Sequence, residues 1–350
     1  MHERIIYLSN KYSYLRKKEV YVNSITKHFA RKTHDSLLST SCACGTNNPR
    51  KNTFYKGIGF VEKWDGITVF QDAFIDKKFL KYKSKFNVAL LVESKFVKPD
   101  VYKRLYELEN EFDLILTHDK EIIINFEEKA RYIPADTITL GATYFGTNFQ
   151  AKRNLISFNY SNKKDLPGHK LRHIISERYS NFDSKVLHKL GSGPEGIRID
   201  EKGEMLKSYF FSICIENSLY EDYFTEKILD CFISGVIPIY WGTSNIYKYF
   251  NERGIFRFES LAELDEIINK IKNNGIEIYK SMEKFVEKNY QTAKSYLYYD
   301  DIYLLEIIDY IKSNRSDKDF NQLINCEIIN PKTKYPLSKK DLLLRFLKKF

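Results

Sequence analysis

The sequence lacks the cysteine pattern of a disulfide-stabilised protein. Its five cysteines are an odd number, and Cys214 and Cys231 fall inside apolar runs, where a thiol behaves as a small hydrophobic group. Cys42 and Cys44 form a Cys-X-Cys pair, but no second Cys/His pair follows at the spacing of a zinc finger. We therefore expect no disulfide framework, and we favour a plain loop over a zinc site at Cys42 and Cys44.

Long apolar runs are also missing from the sequence. No stretch approaches the ~18 consecutive apolar residues that span a bilayer, and the N-terminal stretch MHERIIYLSNKYSYLRKKEV holds no apolar core of signal-peptide length. These absences predict a cytoplasmic protein that is either soluble or peripheral on the inner face of the membrane.

The charge is unbalanced, with a formal net charge of +10. A basic protein attracts anionic partners, here a nucleic acid, a nucleotide, a phosphorylated lipid or a membrane surface. The basic residues are spread along the chain and no RNA- or DNA-binding motif is present, which argues against nucleic acid. The C-terminal tail, PLSKKDLLLRFLKKF at residues 336–350, places one apolar stripe against basic side chains. This pattern fits an interfacial helix on a membrane and a helix docked on the protein equally well.

The order of apolar runs and helical patterns indicates two α/β domains, for which 350 residues are sufficient. The N-terminal runs ERIIYLS, GITVFQDAF, NVALLVE and FDLILTH have the length of strands. Between the last two, PDVYKRLYELENEF begins with Pro99 and places Val101, Leu105 and Leu108 on one helical face, which completes a βαβ unit.

The second half repeats this organisation, with NLISFNY, YFFSICI and VIPIYWG alternating with helical patterns. We place the boundary near residues 148–153, which divides the chain into domains 1–150 and 151–330 and the tail 331–350. Two amphipathic stretches, LAELDEIINKIKNN and DDIYLLEIIDYIKSNR, are predicted to close the second domain.

The stretch IENSLYEDYFTEK, residues 215–227, concentrates polar groups directly after the apolar run YFFSICI, which is typical of a strand covered on both faces. Thr225 is suited to cap a following helix, and Gly235 to end it. The predicted apolar face of this helix contains Ile228, Leu229, Phe232 and Ile233. Together with VIPIYWG the stretch forms a second βαβ unit, whose connection we expect to be right-handed.

This position suits a ligand, because open α/β sheets bind ligands beyond the carboxyl ends of their strands and helix N-termini favour phosphate. Lys227 in the first helical turn opposes the helix dipole, so we expect an anion such as a diphosphate beside it. Glu226 is suited to the vicinal diol of a ribose, with Asn217 and Tyr223 at the same rim. A capped helix with a solvated acidic loop explains the pattern equally well at this point.

A second glycine motif is a decoy. Residues 191–196, GSGPEG, match G-x-G-x-x-G, but they follow the weak run KVLHKL, contain Pro194 and lead into IRIDEKGE, which has no helical periodicity. A dinucleotide site needs a strand before the glycines and a helix after them. We therefore do not expect NAD here.

Several of these residues resemble the signature of the α-1,3-fucosyltransferases, glycosyltransferase family 10. The resemblance rests on Glu216-Asn217-Ser218, on DYFTEK at 222–227, on GVIP at 235–238 and on Trp241-Gly242. It implies a GT-B fold of two Rossmann-like domains facing across a cleft, the N-terminal one binding the acceptor and the C-terminal one binding GDP-fucose. It also implies an inverting transfer of fucose to a sugar hydroxyl.

By matching position, the resemblance assigns Lys227 to the diphosphate, Glu226 to the ribose, and Asn217 and Tyr223 to the surroundings of the fucose and phosphates. The family has a further phosphate-binding arginine early in the C-terminal domain, for which Arg172 is the best match. Glu216 and Asp222 are expected to shape the loop.

An inverting displacement needs a base for the acceptor proton. The family places a glutamate after an N-terminal strand, and Glu93 in LVESK matches it, although Lys95 stands where proline is frequent. Because Lys227 and Arg172 oppose the diphosphate charge and no Asp-X-Asp motif lies nearby, no metal is expected to be required. Mn²⁺ or Mg²⁺ could stimulate turnover by pairing with released GDP.

Two alternatives remain open: a GT-B enzyme with another GDP- or UDP-sugar, and a catalytically silent glycan- or nucleotide-binding protein. A nucleic-acid binder would explain the net charge, but no nucleic-acid partner is expected, because the basic residues are spread along the chain and no such binding motif is present. The acceptor is not encoded in any motif. We expect the acceptor to be an oligosaccharide or glycolipid that forms part of a bacterial or viral surface glycan. We also expect the protein to contact the membrane peripherally through residues 336–350.

Overall fold

The computed structural model describes most of the chain. The described residues are 1–12, 20–25, 55–58, 60–197, 202–297 and 299–326. Cys42, Cys44 and the tail 336–350 lie outside them, so the expectations for these segments stay predictions. No helix among the described residues is long and apolar enough to cross a membrane.

Two parallel β-sheets form the framework, as the alternating pattern predicted. The strands of the first sheet are β1 (Val20–Ile25), β2 (Tyr55–Ile58), β3 (Ile67–Gln71), β4 (Phe86–Leu91), β5 (Leu114–Thr117) and β6 (Ala130–Tyr132). Those of the second sheet are β7 (Asn154–Tyr160), β8 (Leu187–Gly191), β9 (Tyr209–Ile215), β10 (Ile237–Trp241) and β11 (Phe256–Arg257). The first sheet has the strand order β2-β1-β3-β4-β5-β6 and the second the order β11-β10-β9-β7-β8.

Helices connect the strands, which lets neighbouring strands run parallel. The α-helices of the described residues are α1 (His2–Lys11), α2 (Pro99–Leu108), α3 (Lys120–Asn125), α4 (Pro167–Arg178), α5 (Glu226–Ile233), α6 (Leu261–Ala293), α7 (Tyr299–Asn314) and α8 (Asp317–Ile324). In α2, Pro99 occupies the first turn and Val101, Leu105 and Leu108 are buried, so this prediction is confirmed.

The contacts divide the described residues into two units. The N-terminal unit contains the described residues from 3 to 135 together with 299–326, and the C-terminal unit contains mainly those from 136 to 297. Successive residues along the strands of the first sheet point to opposite faces, and both faces are buried. Val69 and Val88 pack with α7 on one face, while Phe70 and Ala89 pack with α2 on the other.

Two expectations from the sequence were wrong. The run ERIIYLS lies in helix α1, because Ile5, Leu8 and Tyr12 recur at helical spacing and are buried. The stretch DDIYLLEIIDYIKSNR forms α7 as predicted, but it packs in the core of the N-terminal unit instead of closing the second domain. An amphipathic pattern identifies the buried face of a helix but not the sheet that covers it.

Lys152 in the C-terminal unit supports a prediction about stability. Its side chain is buried and donates from Nζ to the carbonyl oxygen of Ser234 at 2.7 Å, just beyond the end of α5. Burial lowers the pKa of Lys152 from 10.5 to about 7. Between these values the unfolded chain holds a proton that the folded protein has released, so this residue makes the free energy of unfolding rise with pH.

We therefore expect Lys152→Met to flatten the rise in stability between pH 7 and 10, as measured by urea denaturation of both proteins across that range. Exposed Lys170→Met is the control and should follow the wild type. Equal slopes for Lys152→Met and the wild type would contradict the prediction.

Candidate functional site

The strand, loop and helix predicted around residues 215–235 are present. Strand β9 is fully buried, Thr225 caps α5 by accepting the N–H of Lys227 at 3.5 Å, and the apolar face of α5 is buried. Gly235 follows the helix with φ +63°, a conformation that glycine adopts without strain. Strand β10 then pairs parallel to β9.

Glu216 and Asp222 hold the loop between β9 and α5, as expected. The buried Glu216 carboxylate accepts the N–H of Thr225 at 2.9 Å and its hydroxyl at 2.7 Å. Asp222 has φ +60° and accepts hydrogen bonds from Asn245 and Tyr249, each at 2.7 Å. Both carboxylates therefore fix the path of the backbone.

A cavity of about 280 Å³ lies at the carboxyl ends of β7 and β9 in the C-terminal unit. Four of the predicted donor-site residues line it, namely Arg172, Asn217, Glu226 and Lys227. Tyr223 does not line it. The Tyr223 ring is buried and packs edge-on against Tyr220, with 6.4 Å between the ring centroids. The assignment of Tyr223 as a ligand stays a prediction.

Arg172 reaches the cavity from α4. Its guanidinium donates to the carbonyl oxygen of Ile215 and to Asn217 Oδ1, the latter at 3.2 and 3.3 Å. Gly168 permits this approach, since a Cβ there would lie 1.8 Å from the carbonyl oxygen of Glu216. Burial lowers the pKa of Arg172 from its usual value, so its positive charge lacks the hydration that it has in water.

Lys227 lies among oxygen acceptors. Its Nζ is 2.8 Å from Thr225 Oγ1, 3.3 Å from Glu226 Oε1 and 3.5 Å from Glu216 Oε2. Burial would lower the pKa of Lys227, but Glu226 and Glu216 outweigh it and raise the pKa above its usual value. Burial would likewise raise the pKa of Glu226, but Lys227 and Lys202 hold it well below its usual range. Both groups are therefore charged at neutral pH.

Lys202 was missed in the sequence. It lines the cavity, with its Nζ 2.6 Å from Asp230 Oδ2 and 3.7 Å from Glu226 Oε1. Asp230 follows Glu226 by one helical turn of α5, so the sequence could have predicted a second carboxylate on the same face of this helix. Nothing in the sequence links Lys202, on the segment before β9, to this helix.

Asp136 and His169 were also missed. Burial raises the pKa of Asp136 well above its usual value, and the negative charge of Glu226 raises it further.

His169 lines the cavity one helical turn before Arg172, and burial together with the Arg172 charge lowers its pKa. Its Nδ1 accepts the N–H of Leu166 at 3.4 Å, so the neutral ring carries its proton on Nε2. The cavity thus has a neutral N–H donor beside its cations.

Glu93 lies in the N-terminal unit, two residues beyond the end of β4, and is half-buried. This is the strand-end position predicted for it. Its backbone N–H donates to Asp72 Oδ1 at 3.2 Å, and its carbonyl oxygen accepts the hydroxyl of Tyr102 at 3.0 Å. Its role as a base stays a prediction.

The charges of the cavity define what it can bind. Arg172, Lys227 and Lys202 supply cations, whereas Glu226 and Asn217 supply acceptors for hydroxyl groups. The described residues contain no group of three or more His, Cys, Asp or Glu placed to hold a metal ion. Such a cavity suits an anion that also carries hydroxyl groups.

Comparison with known proteins supports the resemblance drawn from the motif. Residues 188–323 match the family model described as glycosyltransferase family 10 (fucosyltransferase), C-terminal region. The resemblance to family 10 is confirmed. This family 10 region contains Asn217, Glu226, Lys227 and Lys202, whereas Arg172 and Glu93 precede it.

Curated relatives match parts of the chain. The α-(1,3)-fucosyltransferase FucT of Helicobacter pylori is 31% identical over 121 residues, which are 35% of this chain and 24% of that protein. The α-(1,3)-fucosyltransferase B of Drosophila melanogaster is 41% identical over 73 residues, which are 20% of this chain and 16% of that protein. The chain therefore matches a quarter or less of the length of these relatives.

The fold comparison extends beyond the family 10 region. A crystal structure of an α1,3-fucosyltransferase with GDP has a TM-score of 0.52 at 16% identity, and the match covers 87% of this chain and 92% of that one. At this identity the likeness shows the fold alone. The GT-B fold class, with its two parallel α/β sheets, is confirmed.

Proposed function

We propose that this protein is an inverting glycosyltransferase that transfers fucose from GDP-fucose to a hydroxyl group of an acceptor glycan, forming an α-1,3-type linkage. The observation that carries the proposal is the convergence of Arg172, Lys227 and Glu226 on one cavity, two of them within the family 10 region. Known relatives of that region are named as α-(1,3)-fucosyltransferases.

In this proposal the cavity binds GDP. Arg172 and Lys227 bind the diphosphate, with Lys202 behind Glu226 reinforcing the positive field. Glu226 accepts hydrogen bonds from the ribose hydroxyls, and its low proton affinity keeps it an acceptor at neutral pH. Asn217 and Tyr223 shape the surroundings of the fucose and phosphates. The His169 Nε2–H donates to an acceptor atom of the nucleotide.

The transfer is a single displacement. The acceptor oxygen attacks C1 of fucose, the bond from C1 to the β-phosphate oxygen breaks, and GDP leaves with the bonding electrons. Glu93 takes the proton of the attacking hydroxyl as general base. Arg172 and Lys227 stabilise the negative charge that develops on the leaving diphosphate.

The proposal also assigns one substrate to each unit. The N-terminal unit binds the acceptor, an oligosaccharide or glycolipid, and the C-terminal unit binds the donor. No metal is required because side-chain cations oppose the diphosphate charge, and Mn²⁺ or Mg²⁺ stimulates turnover only by pairing with released GDP. The protein works in the cytoplasm or peripherally on the inner face of the membrane.

A screen of nucleotide sugars tests the donor. The full chain is incubated with GDP-fucose, GDP-mannose, UDP-galactose and UDP-N-acetylglucosamine, and released nucleotide is measured with and without an N-acetyllactosamine acceptor. We expect release from GDP-fucose alone and stronger thermal stabilisation by GDP than by UDP. Release from another donor would replace fucose in the proposal. Binding of GDP-fucose without any turnover would favour a silent binding protein.

A further inference from the structure

Asp72 lies beside Glu93 in an unusual backbone conformation. It follows the last residue of β3 with φ +46°, in the left-handed region that costs a residue other than glycine about 1 kcal/mol. Aspartate tolerates this region better than most side chains because its short carboxylate can bond the nearby backbone. The turn takes the chain out of the sheet directly after the last β3–β4 pair, Gln71 with Leu90.

The Asp72 carboxylate replaces the acceptor that a continued strand would have offered to β4. Its Oδ1 accepts the N–H of Val92 at 2.9 Å and the N–H of Glu93 at 3.2 Å. On the other side, the hydroxyl of Tyr102 in α2 donates to the carbonyl oxygen of Glu93 at 3.0 Å. The backbone of Glu93 is therefore held at both of its polar groups, and both holding groups are side chains.

The same contacts place two carboxylates close together. Burial raises the pKa of Asp72 to about 7, the N–H of Val92 opposes this rise, and the charge of Glu93 adds to it. The N–H of Glu93 and the positive charge of Lys98 both lower the pKa of Asp72. A protonated carboxyl keeps an oxygen that accepts hydrogen bonds, so the two backbone contacts do not depend on the charge of Asp72.

We propose that Asp72 is the positioning residue for Glu93: its carboxylate fixes the backbone that carries the Glu93 side chain. The inference rests on the proposed function, in which Glu93 is the base. In the displacement, the proton moves from the acceptor hydroxyl to the Glu93 carboxylate while the C1–O bond to fucose forms and GDP departs. Asp72 exchanges no proton with the substrate.

The decisive variant is Asp72→Gly, because glycine adopts φ +46° without strain but offers no side-chain acceptor to the two backbone N–H groups. We expect kcat for transfer to fall by up to about 100-fold, the loss typical of a catalytic group displaced by about 1 Å. Asp72→Asn should recover most of this kcat, because its amide oxygen can accept both N–H groups. The KM for GDP-fucose should stay within twofold of the wild type. Asp119→Asn is the matched control, because Asp119 is also a buried carboxylate that accepts a backbone N–H, that of Ile122 at 3.1 Å.

Tyr102→Phe provides a second test that leaves Asp72 intact. It removes the hydroxyl that holds the Glu93 carbonyl oxygen, so kcat should fall while the KM for GDP-fucose stays unchanged.

Wild-type kcat in Asp72→Gly would overturn the inference, and so would a kcat of Asp72→Asn as low as that of Asp72→Gly. If Asp72→Gly does not fold, Tyr102→Phe decides, and wild-type kcat in that variant would overturn the inference. Full activity of Glu93→Gln would instead overturn the proposed role of Glu93 itself, so the two failures are distinguishable.

Discussion

Replacing Glu93 by glutamine is expected to lower kcat for fucose transfer by about 100- to 10,000-fold, the usual contribution of a general base. Glutamine keeps the size and the backbone contacts of Glu93, including the bonds to Asp72 and Tyr102. It cannot accept the acceptor proton, because its amide has no basic lone pair at neutral pH. The measurement is transfer at saturating GDP-fucose and acceptor, together with GDP affinity by calorimetry.

The affinity for GDP should stay within twofold of the wild type, because the cavity proposed for GDP lies in the C-terminal unit and Glu93 in the N-terminal unit. Glu121→Gln is the control, since Glu121 is an exposed carboxylate of the same unit, 2.7 Å from Lys95 Nζ. Unimpaired transfer by Glu93→Gln would remove Glu93 from the chemistry. An equal loss in both variants would indicate a general effect on the unit.

Replacing Arg172 by alanine is expected to weaken GDP binding by about 10- to 100-fold, the effect of losing charge-assisted hydrogen bonds of 1.5–3 kcal/mol. Arg172→Lys should recover only part of this loss, because an ammonium cannot reproduce the planar fork that now contacts Asn217 and Ile215. Lys170→Ala on the exposed side of the same helix is the control and should bind GDP normally.

Lys227→Met should weaken GDP binding to a similar extent and should also lower stability. Without the lysine, Glu216 and Glu226 lose the cation that lies within 3.5 Å of both, and an uncompensated buried charge costs about 3 kcal/mol. Calorimetry at a temperature well below the unfolding midpoint separates the two effects. Wild-type GDP affinity in both Arg172→Ala and Lys227→Met would remove these residues from the donor site.

Much of the fold could be predicted because periodicity and turn residues act locally. The helix from Pro99, the capped helix after Thr225 and its end at Gly235 all depend on residues within one or two turns. The position of α7 could not be predicted in this way. Its buried residues, such as Leu304 and Ile308, complement a sheet that is about 200 residues earlier in the sequence, and no local pattern encodes that pairing.

The residues of the candidate site also differ in how far the sequence could predict them. Asn217, Glu226 and Lys227 lie in one continuous motif, so their proximity could be predicted. Lys202 reaches Glu226 and Asp230 only through the folded chain, and Asp72 reaches Glu93 only because β3 and β4 are neighbours in the sheet. A motif identifies residues that are close together in the sequence. Charged residues that strand order brings together can be recognised only from the three-dimensional structure.

Calorimetric titration of the full chain with GDP and with UDP, each in the presence of EDTA, tests the central claim most directly. The account predicts saturable binding of one GDP per chain without a divalent ion, because Arg172 and Lys227 oppose the diphosphate charge, and markedly weaker binding of UDP. Absence of GDP binding, or tighter binding of UDP than of GDP, would contradict it.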